Sequence, residues 1–392
     1  MYEFVQIDPA SHADEIAHVW WKAYDPHKPE EDTRKWLEEP QVVGTVFGAK
    51  TDGRLAAVVG LTKQLDNAIR GANLSFGGIS GVATLPEHRR QRLVRGAFEQ
   101  LFAYANQENI IYSALAPFDY PFYEKFGYAH AELRHRYTFH RRAIKPIKAP
   151  AGITFREYDP VQDAAGVMEV QRSMARFGSR VFQPLWKLQN TDTQHRYVLE
   201  QAGEIVGYVH FEFSEPAQWE LNMKVNHTWF KYDHVLPALV DLVARFAEQA
   251  EEVQWTVGPE VPLEYYIKNP GHEKRTREGE MMVRVIKWRE FCQQIRVPLF
   301  ASEPVVIGLQ DENCPWNNGV FQLTPVSGRL EVETTDKPAE IQFNAVQLSS
   351  AIGGLLTANR LLRLGALQCG PDAAERFTRI FPPDSYISYV GF

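Results

Sequence analysis

Cysteine is scarce in this chain: only Cys292, Cys314 and Cys369 occur in 392 residues, an odd number set far apart. That excludes a disulfide framework and a zinc-ligand cluster. Histidine is commoner, at 12 residues, but no H-E-x-x-H or comparable ligand spacing appears, so no metal is expected. His88 and His135 read as surface or hydrogen-bonding residues. An excess of positive charge is also missing. The 42 Lys and Arg face 49 Asp and Glu, and 42 − 49 = −7 with His neutral. A mildly acidic chain is a poor general binder of nucleic acid or anionic membrane, because both need a basic field. No window approaches 18 uninterrupted apolar residues. The most apolar stretch, 348–367, is broken by Asn359, Arg360 and Arg363. The opening MYEFVQIDPA lacks a basic region followed by an apolar run, so no secretory leader and a cytoplasmic location are expected. No G-x-x-x-x-G-K-[ST] occurs, and Gly78-Ile-Ser-Gly81 lacks the spacing of a nucleophile elbow.

What is present is an ordinary globular balance, 44% hydrophobic and 23% charged. Two Pro-containing seams, at 143–152 and 295–299, divide the chain into residues 1–145, 146–294 and 295–392. The first two segments read as one design used twice. Phe4-Val-Gln-Ile-Asp-Pro9 returns as Phe155-Arg-Glu-Tyr-Asp-Pro160, each followed by a helical pattern. A turn and a β-rich run then open at Asp52-Gly53 and at Ala202-Gly203, with spacings of 53 − 4 = 49 and 203 − 155 = 48. Both copies continue into a strand and a helix, at 79–85 with 93–107 and at 221–228 with 235–250. Such agreement points to duplication. The third segment has short strands at 305–310, 320–325, 329–333 and 340–344, then helices at 345–356 and 373–380, an α+β pattern. It ends in the aromatic Tyr386-Ile-Ser-Tyr-Val-Gly-Phe392.

The stretch most informative about chemistry runs from Gly78 to Arg95. It reads as a buried strand, a Pro-Glu-His turn, a basic loop and a helix with Leu93, Ala97, Phe98 and Leu101 on one face. A helix N-terminus presents free N–H groups and a partial positive charge. Arg89, Arg90, Arg92 and Arg95 add cations there, against the helix dipole, and an anionic guest such as a pyrophosphate relieves that conflict. A solvated basic helix start is the plainer alternative. Downstream, a strand at 111–116 leads to Pro117-Phe-Asp-Tyr-Pro-Phe-Tyr-Glu-Lys-Phe-Gly-Tyr128, a turn, a short helix and a glycine exit.

Here the chain resembles the GCN5-related N-acetyltransferases (GNAT). Their acyl-CoA loop follows Arg/Gln-x-x-Gly-x-Gly/Ala, and the counterpart is Arg89-Arg-Gln-Arg-Leu-Val94, with Arg92 and Val94 at the glycine positions. Phe122-Tyr-Glu-Lys-Phe-Gly-Tyr128 is similar to the signature that puts a tyrosine beside the CoA sulfur. With a degenerate second copy and an α+β third segment, the whole chain resembles the Eis (enhanced intracellular survival) family. That resemblance implies tandem GNAT-type α/β domains followed by an α+β domain like sterol carrier proteins. It implies acetyl-CoA as co-substrate and no metal. The cofactor would be held by the backbone of Val82, Ala83 and Thr84, by Arg89, Arg90, Gln91, Arg92, Leu93, Val94 and Arg95, and by Phe118 and Asp119. It also implies a homo-oligomer, hexameric in that family, and a cationic small-molecule amine of aminoglycoside or polyamine type as acceptor.

Amide formation from a thioester needs a base for the substrate ammonium and a donor for the departing thiolate. Tyr123, whose ordinary pKa is ~10, suits the donor role; a core aromatic among Tyr120, Phe122, Phe126 and Tyr128 is the plainer reading. The resemblance assigns the base to the C-terminal carboxylate of Phe392. In the second copy the loop reads Tyr232-Asp-His-Val-Leu-Pro-Ala238, where Asp233 repels phosphate and Pro237 removes an N–H donor, so no cofactor is expected there. Asp25, Glu30, Glu31 and Asp32 are candidates for the acceptor entrance, or a solvated helix start. A non-catalytic lipid or small-molecule carrier with a vestigial CoA site is the rival from another class.

Overall fold

The computed structural model describes residues 2–38, 44–63, 65–217, 220–269, 271 and 273–391. The chain separates into two compact units. One is Met1–Ala131 with Glu280–Asp384 and Val390–Phe392; the other is Glu132–Gly279 with Ser385–Tyr389.

The first unit holds a seven-stranded sheet in the order Glu3–Ile7, Thr45–Thr51, Arg54–Lys63, Phe76–Thr84, Tyr112–Leu115, Met282–Val285, Ala129–His130. All neighbours are antiparallel except the central pair, Phe76–Thr84 with Tyr112–Leu115, which is parallel. A parallel step needs a crossover, and the Leu93–Gln107 helix supplies it. Its buried Leu93, Ala97, Phe98, Leu101, Phe102 and Ala105 recur at helical spacing; Leu93 packs with Ala49, Ala56 and Ala57, and the others with Phe47, Val59, Leu61 and Ile79. The Ala13–Tyr24 helix covers the other face through Ile16, Val19 and Trp20, against Val46, Leu55, Val58 and Ala83. Each such buried Leu, Ile, Val or Phe contributes about 1.5–3 kcal/mol.

The second unit repeats the order position by position: Ile153–Glu157, Arg196–Gln201, Glu204–Ala217, Glu220–Phe230, Glu252–Val257, Arg134–His140, Lys274–Glu278. Again the fourth and fifth strands are the parallel pair. This agreement carries the duplication from sequence into topology. The pairing departs from the linear boundaries at 145/146 and 294/295 in one respect. Arg134–His140, expected in the first segment, pairs within the second sheet, and Met282–Val285, expected in the second, fills the sixth position of the first. Each sheet therefore takes its sixth strand from beyond its own linear segment. Strand propensity encodes no partner, so the exchange leaves no local signal.

The third segment forms a four-stranded sheet, Arg329–Thr334, Gly319–Val326, Val305–Gln310, Ile341–Asn344, with helices Ala345–Gly353, Ala358–Arg363 and Pro371–Ile380. Within the second unit, Ile387–Ser388 pairs in parallel with Arg180–Val181, so residues 385–389 leave the segment they follow. Among the described residues, no helix is long and apolar enough to cross a membrane.

Candidate active site

The parallel pair of the first sheet ends at Ile79↔Leu115. Beyond it the two strands part, and among the described residues no strand pairs with the rest of Phe76–Thr84 on that side. Gly81 marks the departure with φ +55, where a Cβ would meet the Trp20 ring at 2.1 Å. Two aromatic residues one turn apart on the Ala13–Tyr24 helix hold the bend: Trp20 Nε1 donates to Gly81 O at 2.7 Å and the Tyr24 hydroxyl to Val82 O at 2.5 Å.

Two cavities open at this fork. The larger, about 1100 Å³, is lined by Val82, Ala83 and Thr84, by every residue from His88 to Arg95, and by Phe118, Phe122, Lys125 and Phe126. The smaller, about 500 Å³, is lined by Trp20, Asp25, Lys28, Asp32, the strand residues Ile79–Val82, Ala116 and Tyr123. Tyr24, Val82 and Phe118 line both.

The larger cavity is built for an anion. No side chain caps the Leu93–Gln107 helix, whose first turn carries no acidic residue, so its leading N–H groups are available. Arg89, Arg90, Arg92, Arg95 and Lys125 surround that end. Arg92, at the first glycine position of the GNAT pattern, adopts glycine's conformation: φ +60, ψ 22, left-handed. Arg90 does likewise at φ +64. An L-residue held there costs about 1–2 kcal/mol relative to ordinary backbone, and the loop still turns as a glycine loop turns. The residues present therefore fit a pyrophosphate-bearing co-substrate.

The smaller cavity holds Tyr123 and two aspartates. Tyr123 is 2% exposed, held edge-on by Phe118 and Phe122 with ring centroids 5.3 and 5.0 Å away. Burial, and then the neighbouring Tyr24 and Tyr128, push its phenol above the usual range. Asp25 pairs with Lys28 Nζ at 2.9 Å. Asp32 also lines this space, whereas Glu30 bonds His18 Nδ1 at 3.0 Å. Glu30, Glu31 and Asp32 occupy the first turn of the Glu30–Glu38 helix, where the dipole favours them. Of the four acidic candidates, Asp25 and Asp32 line the smaller cavity, while Glu30 and Glu31 line neither.

The structure thus brings together the predicted Val82, Ala83, Thr84, Arg89–Arg95 series and Phe118. Asp119 lines neither cavity; it flanks the Tyr120–Glu124 helix with extended backbone and makes no side-chain cap. Phe392 lies outside the described residues. Trp20, Tyr24 and Lys125 were not among the site residues expected from the sequence, and His88, expected as a hydrogen-bonding residue, meets the Tyr2 hydroxyl at 2.9 Å on the wall of the larger cavity. Trp20 and Tyr24 carried one usable signal, the i, i+4 spacing that puts both rings on one helix face.

In the second unit the corresponding fork opens after Val225↔Trp255. There Ile387 and Tyr389 stand beside Asn226–Trp229 and Thr256–Gly258, and only about 20 Å³ remains. Tyr389 packs on Trp229 at 5.1 Å and its N–H donates to Val181 O. Asp233 pairs with Arg176 at 3.1 Å, and Pro237 sits in the first turn of the following helix. The chain's own residues occupy this fork.

Residues 9–131 and 169–285 each match an acetyltransferase (GNAT) domain family, and residues 286–387 match the sterol carrier protein domain. Three solved structures match the whole chain over their own full length. They are a probable N-acyltransferase from Enterococcus faecalis (TM-score 0.89, 18% identity), a GCN5-related N-acetyltransferase from Anabaena variabilis (0.87, 16%) and Eis1 from Mycobacterium abscessus (0.83, 19%). The chain carries two acetyltransferase domains of the GNAT type followed by a sterol carrier protein domain, and its fold is similar to that of Eis1. No curated protein matches its sequence. The GNAT domains imply an acyl-CoA co-substrate for this acetyltransferase. Among the described residues, no group of three or more His, Cys, Asp or Glu side chains could hold a metal ion.

Proposed function

We propose that the protein moves an acetyl group from acetyl-CoA to an amine of a cationic small molecule, of aminoglycoside or polyamine type. One observation carries this reading. An arginine-walled cavity at a helix N-terminus joins, through Tyr24, Val82 and Phe118, a second cavity that holds Tyr123 and two aspartates. The diphosphate would lie against Leu93–Arg95 N–H groups and Arg89, Arg90 and Arg92, with Val82–Thr84 beside the pantetheine arm. The acceptor's positive charge suits Asp25 and Asp32.

The neutral amine attacks the thioester carbon, a C–N bond forms and the C–S bond breaks. The ammonium proton leaves to a base, and the departing thiolate takes a hydrogen bond and proton from Tyr123. The base in this reading is the Phe392 carboxylate, by resemblance to Eis-type enzymes. Direct transfer needs no covalent intermediate, and the described cysteines agree: Cys292 and Cys314 are buried with thiols pushed up by burial, Cys314 to about 12. A homo-oligomer in the cytoplasm, hexameric as in that family, completes the proposal.

The test is thiol release from acetyl-CoA with a panel of polyamines and aminoglycosides. Turnover with at least one is expected; none across the panel, together with no acetyl-CoA-dependent thermal shift, contradicts the reading. Appending one residue after Phe392 displaces the carboxylate and should lower kcat at least 10-fold. Unchanged kcat removes Phe392 as the base.

A further inference from the structure

Tyr24 stands where the two cavities meet, and its hydrogen bonding gives it a polarity that the proposed mechanism has not used. A phenol carries one donor and two acceptor lone pairs. The Tyr24 proton is directed at Val82 O, 2.5 Å away, on the unpaired stretch of strand. Its oxygen is therefore left with acceptor capacity alone. The residue is 49% exposed and lines both the arginine-walled and the aspartate-bearing cavity. The Phe118 ring and Val82 share that boundary, and neither side chain offers a hydrogen-bond acceptor. Tyr123 lines only the smaller cavity, the Arg89–Arg95 loop only the larger. A thioester reaching from the loop toward Tyr123 passes this junction, and an attacking nitrogen must meet it there. An amine approaching a thioester carbon has N–H bonds to place and one lone pair to aim. An acceptor-only oxygen at the meeting point takes one of those N–H groups and orients the lone pair.

We propose that Tyr24 is a catalytic residue of the acetyl transfer, its phenolic oxygen accepting a hydrogen bond from the acceptor amine while its proton stays on Val82 O. The two phenols then divide the work by polarity: Tyr123 donates to the leaving sulfur, and Tyr24 accepts from the incoming nitrogen. Tyr24 is not the base, since burial pushes its phenol up and keeps it protonated. This inference rests on the reading that an amine is acetylated at this fork. The competing role is purely structural, with Tyr24 anchoring the strand that receives the pantetheine arm.

Tyr24→Phe keeps the ring and removes only the oxygen. In the full chain, with acetyl-CoA and with spermine or tobramycin as acceptor, kcat/KM for the amine should fall about 10- to 100-fold, the range of a hydrogen bond to a charged or reacting donor. The Kd for acetyl-CoA, measured by titration, should stay within twofold, and so should the Tm within a few degrees. An unchanged kcat/KM for the amine overturns the proposal. A weakened acetyl-CoA Kd that accounts for the whole loss also overturns it, because it assigns Tyr24 to strand anchoring. If the wild-type protein acetylates neither probe nor any other amine, the functional reading fails first, and that result appears before any variant is made.

Discussion

Tyr123→Phe is expected to lower kcat roughly 100-fold, the scale of a lost general acid, with little change in the Kd for acetyl-CoA. The phenol lies in the smaller cavity, away from the arginine loop, so its loss falls on bond breaking and spares cofactor binding. The Phe118, Phe122 and Phe98 rings that hold Tyr123 would hold a phenylalanine equally well. Its pH behaviour follows from burial. Burial disfavours phenolate, which places ionisation above the ordinary ~10. The donor form then persists through pH 10, and kcat should rise with pH as the amine loses its proton, with no fall due to Tyr123 below pH 10. The same shift bears on stability. The folded pKa is raised, so the contribution is fully present below the unfolded value of ~10 and is lost above it. Initial rates from pH 6 to 10 check this; a decline beginning near pH 8 in the wild type and absent in Tyr123→Phe would show a phenol shifted the opposite way.

Asp311→Ala is expected to destabilise the first unit by about 3–5 kcal/mol, the cost of stranding a buried charge. Arg284, on the exchanged Met282–Val285 strand, is 0% exposed and Asp311 2%. Its Nη2 meets both Asp311 oxygens at 2.7 and 2.8 Å, and its guanidinium lies over the Phe102 ring at 4.4 Å. Asp311 also accepts from Cys314 N, Asn313 N and Asn317 Nδ2. One ion pair therefore ties the GNAT sheet to the sterol carrier protein segment. At roughly 2–4 °C per kcal/mol for a unit of this size, the Tm should drop by about 10 °C. Removing the stranded charge as well, with Arg284→Met beside an Asp311→Asn that keeps an acceptor for Cys314 N and Asn313 N, should recover much of the loss, since desolvation offsets most of a buried pair's attraction. Calorimetry of the two variants decides; a Tm within 2 °C of wild type for Asp311→Ala would show that the pair does not matter to folding.

The parts of this molecule legible in the sequence were those with local physics. The Leu93–Gln107 helix lies where its apolar spacing put it, and the arginines before it were readable because they oppose a helix dipole. The duplication showed through because a repeated spacing survives when side chains diverge. The exchanged strands were hidden, because Arg134–His140 and Met282–Val285 look like strands whichever sheet they join. The departure of residues 385–389 was hidden for the same reason. Arg92 illustrates the limit within the site. Its identity departs from the glycine pattern, yet its backbone keeps glycine's left-handed turn. Trp20 and Tyr24 lie on the amphipathic Ala13–Tyr24 helix, whose pattern alone assigns them no role at the site. Only the Gly81 bend, which brings two carbonyls within reach of them, turns them into parts of the fork. The resemblance implied both Phe118 and Asp119 as cofactor contacts, but successive residues before a helix point in different directions, and the cavity wall takes Phe118 alone of the two.

The central claim is that the first copy alone accommodates the acyl-CoA, at the arginine-ringed helix start, while the second copy's fork is filled by the chain itself. Titrating the full chain with acetyl-CoA tests it directly. The account predicts one molecule bound per chain, with affinity reduced at least 10-fold when Arg89 and Arg90 are both changed to Glu. Two molecules per chain, no binding, or a single site indifferent to that charge reversal would contradict it.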